Sequence, residues 1–381
     1  MTSPKDRKSV FTPARRVAVA IVGLLVILGA AAWRVLVPGA PFLLSMMDSS
    51  PEADQTGEPF DVRETIIEHG CRGIPAMVYE PRAGHDRALL VIHGVHWGGY
   101  HEPRLVLFAR RLAAFGFAVV TPQIRDLKSY DLVPRGVSDI ERSARWLLDE
   151  SGLVDERGDG RIGVLGISFG GGLCLSAVTR PTLRDRVAYA FSFGGHADMD
   201  RTMEYLVTGD LPDGGHLEPH VYGQAVILRM GADQLVPPED VGYLDRALTA
   251  YLQGDPNRAR EIGLKLGREA HDLLEMCLER DTEALGAILE PIVRRHRADP
   301  ILSPVRWPSP DHPVFLLHGD VDNVIPPSET EELARWASRT APTESLITSL
   351  ITHVELDEEQ QDSSVGEYLA LVRLWTEMLR I

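Results

Sequence analysis

The chain has 381 residues, of which 44% are hydrophobic and 25% charged, a composition that excludes a collagen, a globally disordered chain and a multi-span membrane protein. Its net charge of -16 is unevenly divided: residues 1–40 carry six basic side chains against one acidic, which leaves 33 basic against 54 acidic, or -21, on residues 41–381. So acidic a body repels phosphate backbones and argues against a nucleic-acid partner, while three scattered cysteines (Cys71, Cys174, Cys277) provide neither a disulfide framework nor a CxxC metal site.

Residues 1–16 form a basic tail. Residues 17–33 (VAVAIVGLLVILGAAAW) then run without a charge. At ~1.5 Å per residue this stretch spans about 25 Å, and continuation to residue 37, with Arg34 snorkelling, approaches the ~30 Å of a hydrocarbon core. A transmembrane anchor over 17–37 is expected, with the basic tail cytoplasmic and the rest of the chain on the non-cytoplasmic side. The small residues Ala30, Ala31 and Ala32 keep open a cleaved signal peptide, which would make the protein secreted or periplasmic. Residues 38–60 read as a linker.

Residues 63–69 and 74–80 read as two strands flanking a turn. Residues 88–93, 118–121, 162–166 and 187–193 are short, near-continuous apolar runs, and helical patterns cover 104–115, 138–150 and the stretch after Ser168. That alternation is the pattern of a mostly parallel sheet covered by helices on both faces. From 199 to 309 the rhythm changes to amphipathic helices at 242–253, 258–279 and 282–297, expected to form a helical cap over the carboxyl edge of the sheet. Strands at 314–318 and 345–351 and helices from Glu329 and over 365–380 complete the chain. The core is thus expected from 61–198 and 310–381.

The sharpest chemical signal is Gly166-Ile167-Ser168-Phe169-Gly170, between an apolar strand and a helical run. Glycines two before and two after a serine let a strand turn into a helix so tightly that the hydroxyl stands at the apex. A serine needs a base to remove its proton and fixed donors for the anion formed on attack. The loop His93-Gly94-Val95-His96-Trp97-Gly98-Gly99 follows a strand, so the N–H groups of Val95 and Phe169 are the candidate oxyanion donors.

The HG loop, GISFGG and the late GDVDNVIPP together resemble the α/β-hydrolase superfamily, closest to its dienelactone-hydrolase-like and serine-esterase branches, over residues 60–198 and 310–381. Dienelactone hydrolases carry cysteine as nucleophile, so Ser168 favours an esterase. The resemblance implies a Ser–Asp–His chain order, with Asp322 as the acid after the strand VFLLH and His353, 31 residues on, as the general base. Asp233 stands in a similar run, ADQLVPP, after the strand-like residues 225–229, and Asp198 and Asp320 are further candidates for the acid. His96, Trp97 and His196 are expected at the mouth as substrate contacts.

Neither a metal nor a cofactor is expected, since no histidine pair has a ligand spacing with a carboxylate on one element. The reading is a hydrolase acting on a small-molecule ester, with the membrane as the partner of the N-terminal segment. Acyl transfer, thioester or peptide hydrolysis would use the same triad, and a non-catalytic binding protein would keep the fold.

Overall fold

The computed structural model describes residues 37–47, 59–70, 72–154, 159–351 and 364–381. The tail, residues 17–36 of the apolar segment, most of 48–60 and His353 lie outside the described residues. Eight strands form one sheet: β1 (Phe60–His69), β2 (Arg72–Pro81), β3 (Arg87–Ile92), β4 (Phe117–Pro122), β5 (Ile162–Ile167), β6 (Val187–Phe193), β7 (Val314–Gly319) and β8 (Thr343–Thr348). Their order is β1-β2-β4-β3-β5-β6-β7-β8. β1 pairs antiparallel with β2, and β2 antiparallel with β4; the other pairings are parallel.

The inner parallel strands β3, β5, β6 and β7 are largely apolar because both their faces are covered, whereas the edge strand β8 (TESLIT) is mixed and half-buried. Along β3, Ala88, Leu90 and Ile92 enter one core while Leu89 and Val91 enter the other, and β7 divides Val314 and Leu316 from Phe315 and Leu317 in the same way. One face is covered by α3 (Pro134–Asp149) and α4 (Phe169–Val178), the other by α2 (Pro103–Ala114) and α12 (Val365–Arg380).

A further helix on the second face, α1 (Gly39–Met47), corrects the linker reading of 38–60. Its Phe42 is fully buried, with ring centroids 5.0 Å from Trp375, 5.2 Å from Phe115 and 6.2 Å from Phe108. Gly39 is needed for the close approach to α12: a Cβ there would lie 2.2 Å from the Val372 carbonyl oxygen, and its N–H donates to Thr376 Oγ1 at 3.1 Å. The partners of this short apolar segment lie 60 to 330 residues downstream, roughly, so no local pattern announces it. Among the described residues, no helix is long and apolar enough to cross a membrane.

Between β6 and β7 run α5 (Met199–Thr208), α6 (Val221–Met230), α7 (Pro238–Leu252), α8 (Pro256–Gly263), α9 (Arg268–Glu279) and α10 (Thr282–Arg295), followed by short 3-10 turns. Their apolar faces (Tyr205, Leu228, Leu244, Leu274) join the core on the α3 and α4 side of the sheet. Residues 225–229, read as strand-like, belong to α6, which is buried on nearly every side and therefore shows no polar stripe. The single helix expected over 258–279 is broken where the Gly267 N–H bonds Asp240 Oδ1 at 3.0 Å; a Cβ at Gly267 would lie 2.6 Å from Asp240 Oδ2.

After β7 come α11 (Ser328–Ala337), β8 and α12. Glu367 joins the last two. One carboxylate oxygen accepts from Ser349 Oγ (2.8 Å), the Ser349 N–H (3.2 Å) and Thr348 Oγ1 (3.2 Å), and the other from the Ser364 N–H (3.0 Å) in a capping box. These bonds, that of the Ser364 N–H foremost, pull the carboxyl down to about 2.

Candidate active site

Ser168 is the single residue between β5 and α4, and its backbone is at φ 55, ψ -134. For a residue with a Cβ this conformation costs about 1–3 kcal/mol and persists only where the surroundings enforce it. Here the Ser168 N–H is held by the Phe193 carbonyl at 2.7 Å, and its own carbonyl accepts from Gly171 at 2.7 Å. The flanking glycines are sterically required: a Cβ on Gly166 would meet the Gly170 carbonyl oxygen at 2.3 Å, and one on Gly170 the His93 carbonyl oxygen at 2.4 Å.

The loop after β3 passes directly over the serine. A Cβ on Gly94 would come within 3.0 Å of Ser168 Cβ. Val95 follows and Phe169 opens α4, so their N–H groups belong to the two segments that meet above Ser168, and the first N–H groups of a helix have no intrahelical acceptor. His93 anchors the loop: its Nε2 accepts from the Ile124 N–H at 3.0 Å and its Nδ1 donates to the Gly94 carbonyl at 2.7 Å. Burial pushes this imidazole down to about 4, and it is neutral at physiological pH. On the other side, Tyr222 of α6 donates its hydroxyl to the Val95 carbonyl at 2.9 Å.

A cavity of about 590 Å³ opens over Ser168, lined by Gly94, Val95, His96, Asp322, Asn323, His220 and Tyr222 on its polar side. Leu105, Phe108, Ile167, Phe193 and Met46, all part of or packed against the second-face core, make the apolar part of the lining. At the rim Arg104 Nε bonds Glu102 Oε1 at 2.6 Å, and Glu102 also caps α2 through the Leu105 N–H.

Of the four candidate acids, Asp322 is the one that lines this cavity. Its Oδ1 accepts from the N–H groups of Val324 (2.9 Å) and Ile325 (3.0 Å), and its Oδ2 lies 3.2 Å from Nε2 of the fully buried His318. His318 Nε2 also faces the Ile325 carbonyl at 2.8 Å, so it carries the ring proton, while Nδ1 accepts from the Thr330 hydroxyl at 2.6 Å. Asp198 instead caps α5 through the Arg201 N–H and pairs with Arg306 at 2.7 Å. Asp233 lies exposed in a 3-10 turn after α6, and Asp320 is exposed just after β7.

The expected substrate contacts divide. His96 lines the cavity, its Nδ1 accepting from the Gly98 N–H at 3.1 Å, with its pKa lowered by burial. Trp97 stands 47% exposed beside it, outside the cavity lining. His196 must be corrected: it is fully buried, bonds the Leu302 carbonyl at 2.7 Å and never reaches the cavity. The cause is Glu329, whose Oε2 accepts from the N–H groups of Ala197 (2.8 Å) and Asp198 (3.0 Å) and turns that loop inward. The His196 ring then fills the space under α4 left by Gly172, where a Cβ would meet it at 2.3 Å.

Sequence reasoning missed His220 and Tyr222. His220 caps α6 by accepting from the Tyr222 N–H at 3.1 Å, and its own N–H bonds the carbonyl of Asn323, next to Asp322, at 2.8 Å. Neither residue belongs to a recognisable motif, and only the packing of α6 brings them to the site.

A serine on a strained strand-to-helix turn at the end of a parallel strand, under the loop that follows β3, with the aspartate after β7, defines the architecture. The chain has the α/β-hydrolase fold. No family model and no curated protein matches the sequence. Among solved structures, this hydrolase fold is similar to the acylaminoacyl peptidase of Pyrococcus horikoshii (14% identity, TM-score 0.47), with 85% of this chain covered. The chain spans 42% of that peptidase. It is also similar to an esterase of Pyrococcus furiosus (14% identity, TM-score 0.45, 87% of this chain and 94% of that one). A third similar structure is an esterase of Pyrobaculum calidifontis (18%, TM-score 0.46, 90% of each chain).

Proposed function

We propose that the protein is a serine hydrolase that cleaves a carboxylic ester through an acyl-enzyme on Ser168. The observation that carries this reading is the strained Ser168 backbone in one cavity with Asp322 and the loop of Val95. His353 takes the Ser168 proton as Oγ attacks the ester carbonyl, and the resulting oxyanion is held by the N–H groups of Val95 and Phe169. Collapse breaks the C–O bond, and His353 returns the proton to the departing alcohol. Water, deprotonated by the same imidazole, then attacks the acyl-enzyme; the bond from the acyl carbon to Ser168 Oγ breaks, His353 returns the proton to Oγ and the carboxylic acid is released. Asp322, held by Val324, Ile325 and His318, keeps His353 in the required tautomer.

In this reading residues 199–309 act as a cap, and residues 17–37 as an uncleaved anchor that holds the catalytic body on the non-cytoplasmic side. Support for the cap is that His220 and Tyr222 line the cavity; support for the anchor is the 17-residue apolar run behind a basic tail. The test is labelling of the full chain with a fluorophosphonate probe. Wild type labels covalently, Ser168→Ala does not, and His353→Ala slows labelling by at least ~10³-fold whereas His220→Ala keeps it. A folded wild-type chain that resists the probe refutes the serine mechanism, and loss of labelling in His220→Ala alone reassigns the base.

A further inference from the structure

Met46 brings α1 into the cavity over Ser168. While Phe42 and Leu43 on α1 are buried, Leu44 and Met47, three residues apart on one helical face, are 67% and 42% exposed. Val321, 54% exposed, lines the same cavity from the acid loop, and Trp97, 47% exposed, follows His96 on the opposite loop. Three segments that contribute to the cavity lining thus also carry large exposed apolar side chains, and exposed apolar surface beside a site marks an interaction surface.

Covalent connectivity says which surface is near. Five residues separate Trp33, the end of the apolar run, from Gly39, where α1 begins. Fully extended they reach about 20 Å, and the helix from Gly39 to Met46 adds roughly 11 Å. Met46 is thus tethered within about 30 Å of the end of the apolar run, whatever direction the chain takes. Inside the mouth, Met46, Leu105, Phe108, Ile167 and Phe193 form a continuous apolar wall that meets Ser168.

We infer that the site takes an amphiphilic ester with a long hydrophobic acyl chain directly from a zwitterionic lipid surface. The inference rests on the serine-hydrolase and anchor readings above. The acyl chain lies along the Met46 wall with its carbonyl at Ser168, and Leu44, Met47, Val321 and Trp97 rest in the interfacial layer, where their apolar area is removed from water. An acidic body at -21 makes a zwitterionic surface the fitting one, because an anionic leaflet would repel it.

The experiment reconstitutes the full chain in phosphatidylcholine vesicles and compares turnover of a bilayer-dissolved long-chain umbelliferyl ester with that of the soluble acetate ester. For Leu44→Glu/Met47→Glu the ratio of long-chain to acetate turnover falls at least tenfold. For Met46→Trp, which fills the wall, the same ratio falls tenfold in detergent solution as well. An unchanged ratio in both variants, with fluorophosphonate labelling intact, overturns the lipid-surface inference and leaves the serine mechanism standing. Absence of labelling in wild type would instead remove the mechanism itself.

Discussion

The Tyr222 hydroxyl donates a 2.9 Å hydrogen bond to the Val95 carbonyl, so a helix inserted between β6 and β7 holds the loop that follows β3. The same helix terminus bonds the acid loop through the His220 N–H and the Asn323 carbonyl. The two loops that flank Ser168 are thus cross-braced by one turn of the insertion.

Tyr222→Phe deletes the Val95 bond without changing the ring. Removing a whole oxyanion donor costs about 10²–10³ in kcat, so loosening one is expected to cost about tenfold, with KM nearly unchanged. Steady-state kinetics on a short ester check this. A rise in KM at constant kcat would mean that Tyr222 binds substrate instead of bracing Val95.

Three substitutions separate the acids. Asp322→Asn leaves an oxygen for Val324 and Ile325 but removes the charge that, in the proposed mechanism, orients the base, and turnover is expected to fall about 10⁴-fold. Asp198→Ala loses a helix cap, costing roughly 1 kcal/mol of stability with turnover within a few-fold of wild type. Asp233→Asn, exposed in its turn, should change neither. Urea titrations and turnover numbers on the three variants report both quantities.

His93 predicts an acid limb of stability. Its imidazole is held at about 4 by burial, against an ordinary value near 6.5, so between these pH values the unfolded chain binds the additional proton. The His93 contribution to stability therefore falls as pH drops from about 6.5 to 4 and levels off below, where the loss of the Glu367 contribution, held down to about 2, continues the decline. His93→Asn should flatten part of that slope, with His312, which burial also pushes down to about 4, and His96 and His196, which burial lowers, contributing to the remainder. Urea midpoints measured across this range check it; parallel slopes in wild type and variant would exclude His93 as the source.

What the sequence made legible follows from how local each signal is. The parallel strands showed because burial on both faces leaves uninterrupted apolar runs, and the turn at Ser168 showed because Gly166 and Gly170 are steric necessities within a few residues of it. Helix α6 was misread because its burial leaves no polar stripe, and α1 because Phe108, Phe115 and Trp375, which bury Phe42, are distant in the chain. His196 lies in the loop just past β6, as His93 does past β3, yet Glu329, far downstream, holds that loop against the core. Contacts made across the fold, like those of His220 and Tyr222, leave no trace in spacing.

The chain leaves β8 at Ser349 and enters α12 at Ser364, and both points are bonded to the one carboxylate of Glu367. The stretch between them, which includes the core residues Leu350 and Ile351 as well as His353, is thereby clipped at both ends by one side chain. Loop closure cost grows only logarithmically with length, so with its two ends held by Glu367 the cost of closing this segment depends little on how many residues it holds, and the register of β8 and the start of α12 are set by the clip itself.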